Sequence, residues 1–273
     1  VQQLGPHRRT IVAVPRAANA RVVVEVAVDS VAGACAAAAG GADRLELCSS
    51  LAEGGLTPSA GLLTAVLAAV RVPVFAMVRP RAGDFCYDSG EFDVMLRDIE
   101  HLRAAGAAGI VAGVLQTDGH VDAARLRELV AAAQPLPFTF HRAFDLVADA
   151  NAALDVMVAA GVTRVLTSGQ AASAITGADA IAQHVAAAGA RLVVMAGAGV
   201  RPDNVRELVE RTGVHEVHLS ATVWRDSAMQ FRRDGVPMAT TRATDEFAVR
   251  NTDGEAVAKV VAALAGPRDP ATM

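Results

Sequence analysis

A unit that recurs eight times from Val22 onward constrains this chain more than any other feature: a short β-branched run, a loop, an Ala-rich helical stretch and a glycine just ahead of the next run. The runs are VVVEVAV from Val22, RLELC from Arg44, VFAMVR from Val74, GIVAGVL from Gly109, PFTFH from Pro137, RVLT from Arg164, RLVVMA from Arg191 and EVHLS from Glu216. Strands that alternate with helices are joined by right-handed parallel crossovers. Gly41, Gly106, Gly161, Gly189 and Gly213 stand where a residue without Cβ can turn a finished helix into the next strand. An open doubly wound sheet alternates in the same way, but eight units in 273 residues match a barrel of roughly 250 residues. The expected fold is therefore α/β, a (β/α)8 TIM barrel, with residues 21–273 as one domain and residues 1–20 as an unstructured leader or tag remnant. After the eighth run, the connection from Ala221 to Gly254 is too long for a plain loop and reads as a lid or an oligomer contact. Its Trp224, Arg225 and Phe231 are candidate interface anchors, with burial by packing the expected fate of the two aromatics. EAVAKVVAALA from Glu255 closes the chain as a helix.

Composition narrows the partners. Hydrophobic residues make up 52% of the chain and aromatics only 4%, which suits close helix–sheet packing by Ala and Val. The net charge of -4 leaves no basic footprint for nucleic acid or an anionic membrane, so a small molecule, an ion or another copy of the chain is expected instead. Neither an apolar run of roughly 18 residues nor a signal-peptide pattern is present, and the expected location is cytoplasmic. Cys35, Cys48 and Cys86 lack CxxC spacing, which argues for reduced thiols rather than a disulfide framework or a zinc knuckle.

Period two along each run selects the polar residues that face the barrel interior. It places Glu25, Ala27, Glu46, Cys48, Met77, Arg79, Thr139, His141, Met195, His218 and Ser220 inward. Buried carboxylates need cations, for which Arg79, His141 and Arg142 are the candidates. Since barrel enzymes gather reactive groups at the carboxyl ends of the strands, Glu25, Glu46, Arg79, His141, Arg142, Asp145 and His218 form a candidate catalytic set; an ion-pair network that fills the barrel is the alternative. Asp84 and Asp145 are placed to orient Arg81 or Arg142, with a plain surface-loop carboxylate the expected reading for Asp84 alone. Gly197 and Gly199, followed by Pro202 at an expected first helical position, form with Ser220 and the Ser168-Gly169 loop a candidate anion site of the kind barrels build after strands seven and eight. Cys48, Met77 and Met195 or His218 offer soft donors to Cu(I), against the alternative that Cys and Met simply pack in the core.

The segments VEVAVDS, GGADRLELCSSLAEGGLTPS, VPVFAMVRPRAGDFCY, LPFTFHRAFD, RVLTSGQ and VHLSA resemble, in order, those of the CutC family of copper homeostasis proteins, from about Val24 to the last helix. The resemblance implies a barrel, a cytoplasmic location, a homo-oligomer (dimer or tetramer), and a copper-handling role through Cu(I) binding by cysteine. Copper-binding members of the family carry a second Cys where this chain has Ala27, so Cys48 is left with Met77, His218 or a cysteine of another subunit as co-ligand. Ala198 also interrupts a run of glycines. Two functions follow as expectations: copper homeostasis, and a barrel enzyme acting on a small phosphorylated or carbonyl-bearing metabolite, with His141 or Glu46 as acid or base and Arg79 holding an anionic group. An oligomeric scaffold is a third.

Overall fold

The computed structural model describes residues 21–233, 235, 236 and 246–265. The expected leader at 1–20 lies outside them. Eight parallel strands, β1 (Val23–Val28), β2 (Arg44–Leu47), β3 (Val74–Met77), β4 (Gly109–Ala112), β5 (Phe138–Phe140), β6 (Arg164–Thr167), β7 (Val193–Gly197) and β8 (Glu216–Leu219), each pair with the next, and β8 pairs with β1. The barrel is closed, as the recurring unit predicts.

Helices α1 (Val31–Ala39), α2 (Ala60–Ala69), α3 (Ser89–Ala104), α4 (Ala123–Ala133), α5 (Ala150–Ala160), α6 (Ala178–Ala188) and α7 (Val205–Thr212) alternate with the strands. Ser30, Ser59, Asp88, Asp122 and Asp149 each accept a backbone N–H at a helix start, so loops leaving the strands end on side chains that satisfy orphan donors. Gly106, Gly161 and Gly213 take positive φ after α3, α5 and α7, the conformation that the missing Cβ permits. Helix α7 begins at Val205, with Asn204 before it, so Pro202 sits in the preceding turn and not at a first helical position.

Val24, Val26 and Val28 bury their side chains toward the helices, where Ala34 and Ala37 of α1 are fully covered. The opposite faces fill the barrel. Near its amino end Phe75 lies under two guanidinium groups, with Arg44 4.9 Å and Arg164 5.5 Å from the ring centroid. Gly109 of β4 makes room for that ring: a Cβ there would come within 2.5 Å of Phe75.

The long connection forms a two-stranded antiparallel ribbon, β9 (Thr222–Asp226) and β10 (Ala248–Thr252), before α8 (Gly254–Ala265) packs on α1 and α7. The expectation of buried aromatics is corrected here: Trp224 is 55% and Phe231 62% exposed. Strand β9 packs chiefly on β10, which itself rests on α1, and among the described residues neither aromatic is buried by a further layer.

Candidate functional site

The period-two reading brings Glu25, Glu46, Arg79, His141 and His218 into the interior, and all are buried or nearly so. Their partners differ from those expected. Glu25 accepts from the Arg44 guanidinium and meets His218 Nδ1 at 2.9 Å. Imidazole Nε2 of His218 lies 3.6 Å from Glu46 Oε2, and the Cys48 thiol donates to that same oxygen at 3.6 Å. Arg79, His141 and Arg142 are therefore not the counter-ions of the two carboxylates. The true ones follow from strand register, which sets Glu25 opposite both Arg44 and His218.

A third carboxylate belongs to the same network. Glu216 accepts from Arg44 at 2.7 Å and from Arg164, which also donates to Thr139 at 3.2 Å. Arg44, Arg164 and Glu216 were missed although the same alternation signals them: Arg44 is two residues before Glu46, and Glu216 two before His218. Three carboxylates against two guanidiniums leave one negative charge, which a single proton on His218 or Glu46 neutralises.

The ionisation directions agree with that count. Burial pushes Glu25 up, but the His218 hydrogen bond and the Arg44 charge outweigh it and hold the carboxyl at about 2. Burial raises Glu46, and the His218 charge only partly offsets it. His218 is lowered by burial yet raised overall, because Glu46 and Glu25 favour its cation. Burial beside the Glu46 carboxyl pushes the Cys48 thiol well above its ordinary value.

A cavity of about 770 Å³ opens at the carboxyl ends of the strands. Its inner wall includes Glu46, Met77, Arg79, His141 and His218. Arg79 extends across the mouth, donating to the backbone oxygens of Glu53 (2.8 Å), Gly55 (3.2 Å) and Gly83 (2.8 Å), so it ties together the loops after β2 and β3. Phe85 stands between it and His141, 5.0 Å from the guanidinium and 4.7 Å from the imidazole centroid. Nδ1 of His141 accepts the Ala143 N–H at 3.2 Å; burial and the Arg79 charge hold its pKa down at about 3, so the ring is neutral. Among the described residues, Glu46 Oε1, Arg79 Nε and His141 Nε2 are buried atoms with no hydrogen-bond partner.

Arg142 and Asp145 also line the cavity and pair with each other at 2.7 Å, while Arg81 pairs with Asp84 at 3.0 Å, the orientations expected of the two loop carboxylates. Of the candidate anion site, Gly199 and Ser220 line the cavity. The other three members are committed elsewhere: Ser168 binds Asp145, Gly169 is wedged against Gly177, and Gly197 sits within β7, where a Cβ would meet Leu166 at 2.6 Å. Of the soft donors, Cys48 and Met77 meet across Gly55, whose Cβ would lie 2.9 Å from the thiol sulfur and 3.5 Å from the thioether methyl. Cys48 lies beneath the cavity wall, fully buried, and Met195 is a layer lower, where Arg44 donates to its sulfur at 3.5 Å. The ligand atoms of Glu25, Glu46 and His218 lie within 4.8 Å of one another, but both oxygens of Glu25 already hold His218 and Arg44. The rim is completed by Arg250 of β10 and Thr222 of β9, so the ribbon forms part of the site.

A family profile, that of the CutC family, matches residues 22–223. The chain is 46% identical over 231 residues to the human copper homeostasis protein cutC homolog, covering 85% of each. A family protein CutC of Klebsiella pneumoniae is 49% identical over 238 residues, covering 87% of this chain and 96% of the relative. The crystal structure of a CutC protein from Streptococcus agalactiae superposes with a TM-score of 0.70 at 31% identity, covering 73% of this chain and 98% of that one. The eight barrel strands, the buried network and most of the cavity wall fall inside the matched segment, and the chain belongs to the CutC family.

Proposed function

We propose that this chain serves copper homeostasis, the role printed in the names of its relatives, as a cytoplasmic homo-oligomer with Cu(I) as cargo and Cys48, Met77 and His218 as donors. The observation that carries this reading is that Cys48 and Met77 both pack against Gly55, while the Cys48 thiol and His218 Nε2 both meet Glu46 Oε2. Thiolate, thioether and imidazole are the ligands that Cu(I) prefers. Binding displaces the Cys48 proton, whose loss burial resists, so affinity is modest and increases with pH. No described helix is long and apolar enough to cross a membrane. The test is an anaerobic Cu(I) competition titration of the native protein and Cys48→Ala. Stoichiometric binding lost in the variant supports the reading; binding indifferent to Cys48 rules out these donors.

A second reading is favoured by the three unpartnered buried atoms on side chains of one cavity wall: an enzyme acting on a small molecule there. Glu46, sharing one proton with His218, is the acid or base of that reading, and neutral His141 is a hydrogen-bond donor to the substrate. Gly199 and Ser220 supply its anion-binding surface. A thermal-shift screen of phosphorylated and carboxylated metabolites tests it, with stabilisation lost in Glu46→Gln as the expected result.

A further inference from the structure

We infer that the ligand of the cavity is a small α-hydroxycarbonyl compound with one anionic end, bound with its carbonyl oxygen toward His141 and Arg79, its hydroxyl toward Glu46 and its anion toward Arg250. This rests on the second reading above and names its substrate class. The assignment follows from which hydrogen-bonding groups remain unused. Because His141 Nδ1 accepts the Ala143 N–H, the ring hydrogen is on Nε2, which is left as a donor without a partner. Both Nη atoms of Arg79 donate to backbone oxygens, with one Nη2 hydrogen left over, and its Nε–H has no hydrogen-bond partner although the Tyr87 hydroxyl lies beside the guanidinium. The Phe85 ring packs against both, 5.0 Å from the guanidinium and 4.7 Å from the imidazole centroid. A ligand atom that meets these N–H donors is an acceptor, as a carbonyl oxygen is. With Arg250 left for the anion, this assignment gives His141 and Arg79 to the carbonyl.

The other polar positions complete the match. Glu46 Oε1 has no partner, and a hydroxyl can satisfy it in either protonation state, donating to a carboxylate or accepting from an acid. Ala27, Met77 and Leu166 form apolar wall suited to a short carbon skeleton. At the rim Arg250 donates to Thr222 Oγ1 at 2.7 Å and has no carboxylate within ion-pair distance among the described residues, although Arg142 and Arg201 beside the same cavity each have one. Its charge is available to a ligand, next to Ser220 and Gly199.

The test is calorimetric titration of the full chain with four probes: dihydroxyacetone phosphate, hydroxypyruvate, glycerol 3-phosphate, which lacks the carbonyl, and dihydroxyacetone, which lacks the anion. One of the first two is expected to bind about tenfold or more tighter than either of the last two, and which of them does so identifies the anion as phosphate or carboxylate. Arg250→Ala, at a rim position whose loss leaves the barrel intact, is expected to weaken the anionic probes about tenfold and leave dihydroxyacetone unchanged. The ¹³C carbonyl resonance of the bound probe is expected to move downfield in the native protein and back in His141→Ala, a signature that loss of packing alone does not produce. Equal binding of dihydroxyacetone phosphate and glycerol 3-phosphate overturns the carbonyl assignment while leaving a small-molecule site standing. Failure of all four probes overturns the inference, and a blank metabolite screen in addition removes the second reading with it.

Discussion

At the residue scale, the informative positions are those where one atom decides a chemistry. His141 is buried and neutral, with a pKa of about 3 against an ordinary 6.5. Between those values the unfolded chain binds a proton that the folded chain does not, so stability present above pH 6.5 falls as the pH drops, by at most about 1.4 kcal/mol per unit. Urea unfolding of His141→Phe between pH 7 and 4 is expected to show a shallower decline than the native protein; parallel curves would show that another group carries it. Ala27 lies in register with Glu46 and lines the cavity, so Ala27→Cys adds a thiol on the strand beside Cys48. Under the copper reading this variant is expected to bind Cu(I) at least about tenfold tighter, and no gain in the same competition titration would count against Cys48 as a ligand. Ala198 holds φ at +78°, a left-handed conformation that costs a residue with Cβ roughly 1–2 kcal/mol. Glycine relieves that strain but adds unfolded-chain entropy, so Ala198→Gly is expected to stabilise by about 0.5–1 kcal/mol, measured as a rise in Tm.

At the element scale, the strands bring the site together by register, and helices and loops hold it in place. β8 lies beside β1 with His218 opposite Glu25, so one imidazole reaches both carboxylates. β4 and the residue that follows it contribute by what they lack: Gly109 admits the Phe75 ring and Gly113 admits the His141 ring, whose nearest atoms would lie 2.7 Å from a Cβ. Gly109→Ala is expected to cost about 1–3 kcal/mol through overpacking of Phe75 between Arg44 and Arg164. A denaturation midpoint unchanged by this substitution would mean that the ring can move aside. Alternation along the runs made most of these inward residues legible. It did not reveal their partners, because a pairing across the barrel depends on which strand closes on which and at what stagger. Alternation marks Arg44 and Glu216 as inward but not as partners, and only the closure of β8 on β1 brings them to 2.7 Å.

At the scale of the whole molecule, a buried charge network and an exposed ribbon face opposite tasks. Arg44 serves Glu25 and Glu216 together, so Arg44→Leu leaves two buried carboxylates short of a cation and is expected to cost about 3–5 kcal/mol. The ribbon instead exposes Trp224, Val249 and, just beyond it, Phe231. For the homo-oligomer proposed above this is the contact to disrupt: Trp224→Ser with Phe231→Ser is expected to lower the mass seen by light scattering, and an unaltered mass would place any assembly elsewhere.

The sequence by itself determined the barrel, because eight strand–helix units can bury their apolar faces only by closing in order, and alternation then sends Glu25, Glu46, Arg79, His141 and His218 inside. Tertiary structure alone decided what those residues do once inside. It committed Arg79 to three backbone carbonyls, gave Glu25 to Arg44 and His218, sealed Cys48 beneath the cavity and turned Ser168 and Gly169 away from it. The physical reason is that which face a side chain takes is a local property of period two, whereas a hydrogen-bond partner is a distance between strands far apart in the chain, as the separation of 193 positions from Glu25 to His218 illustrates.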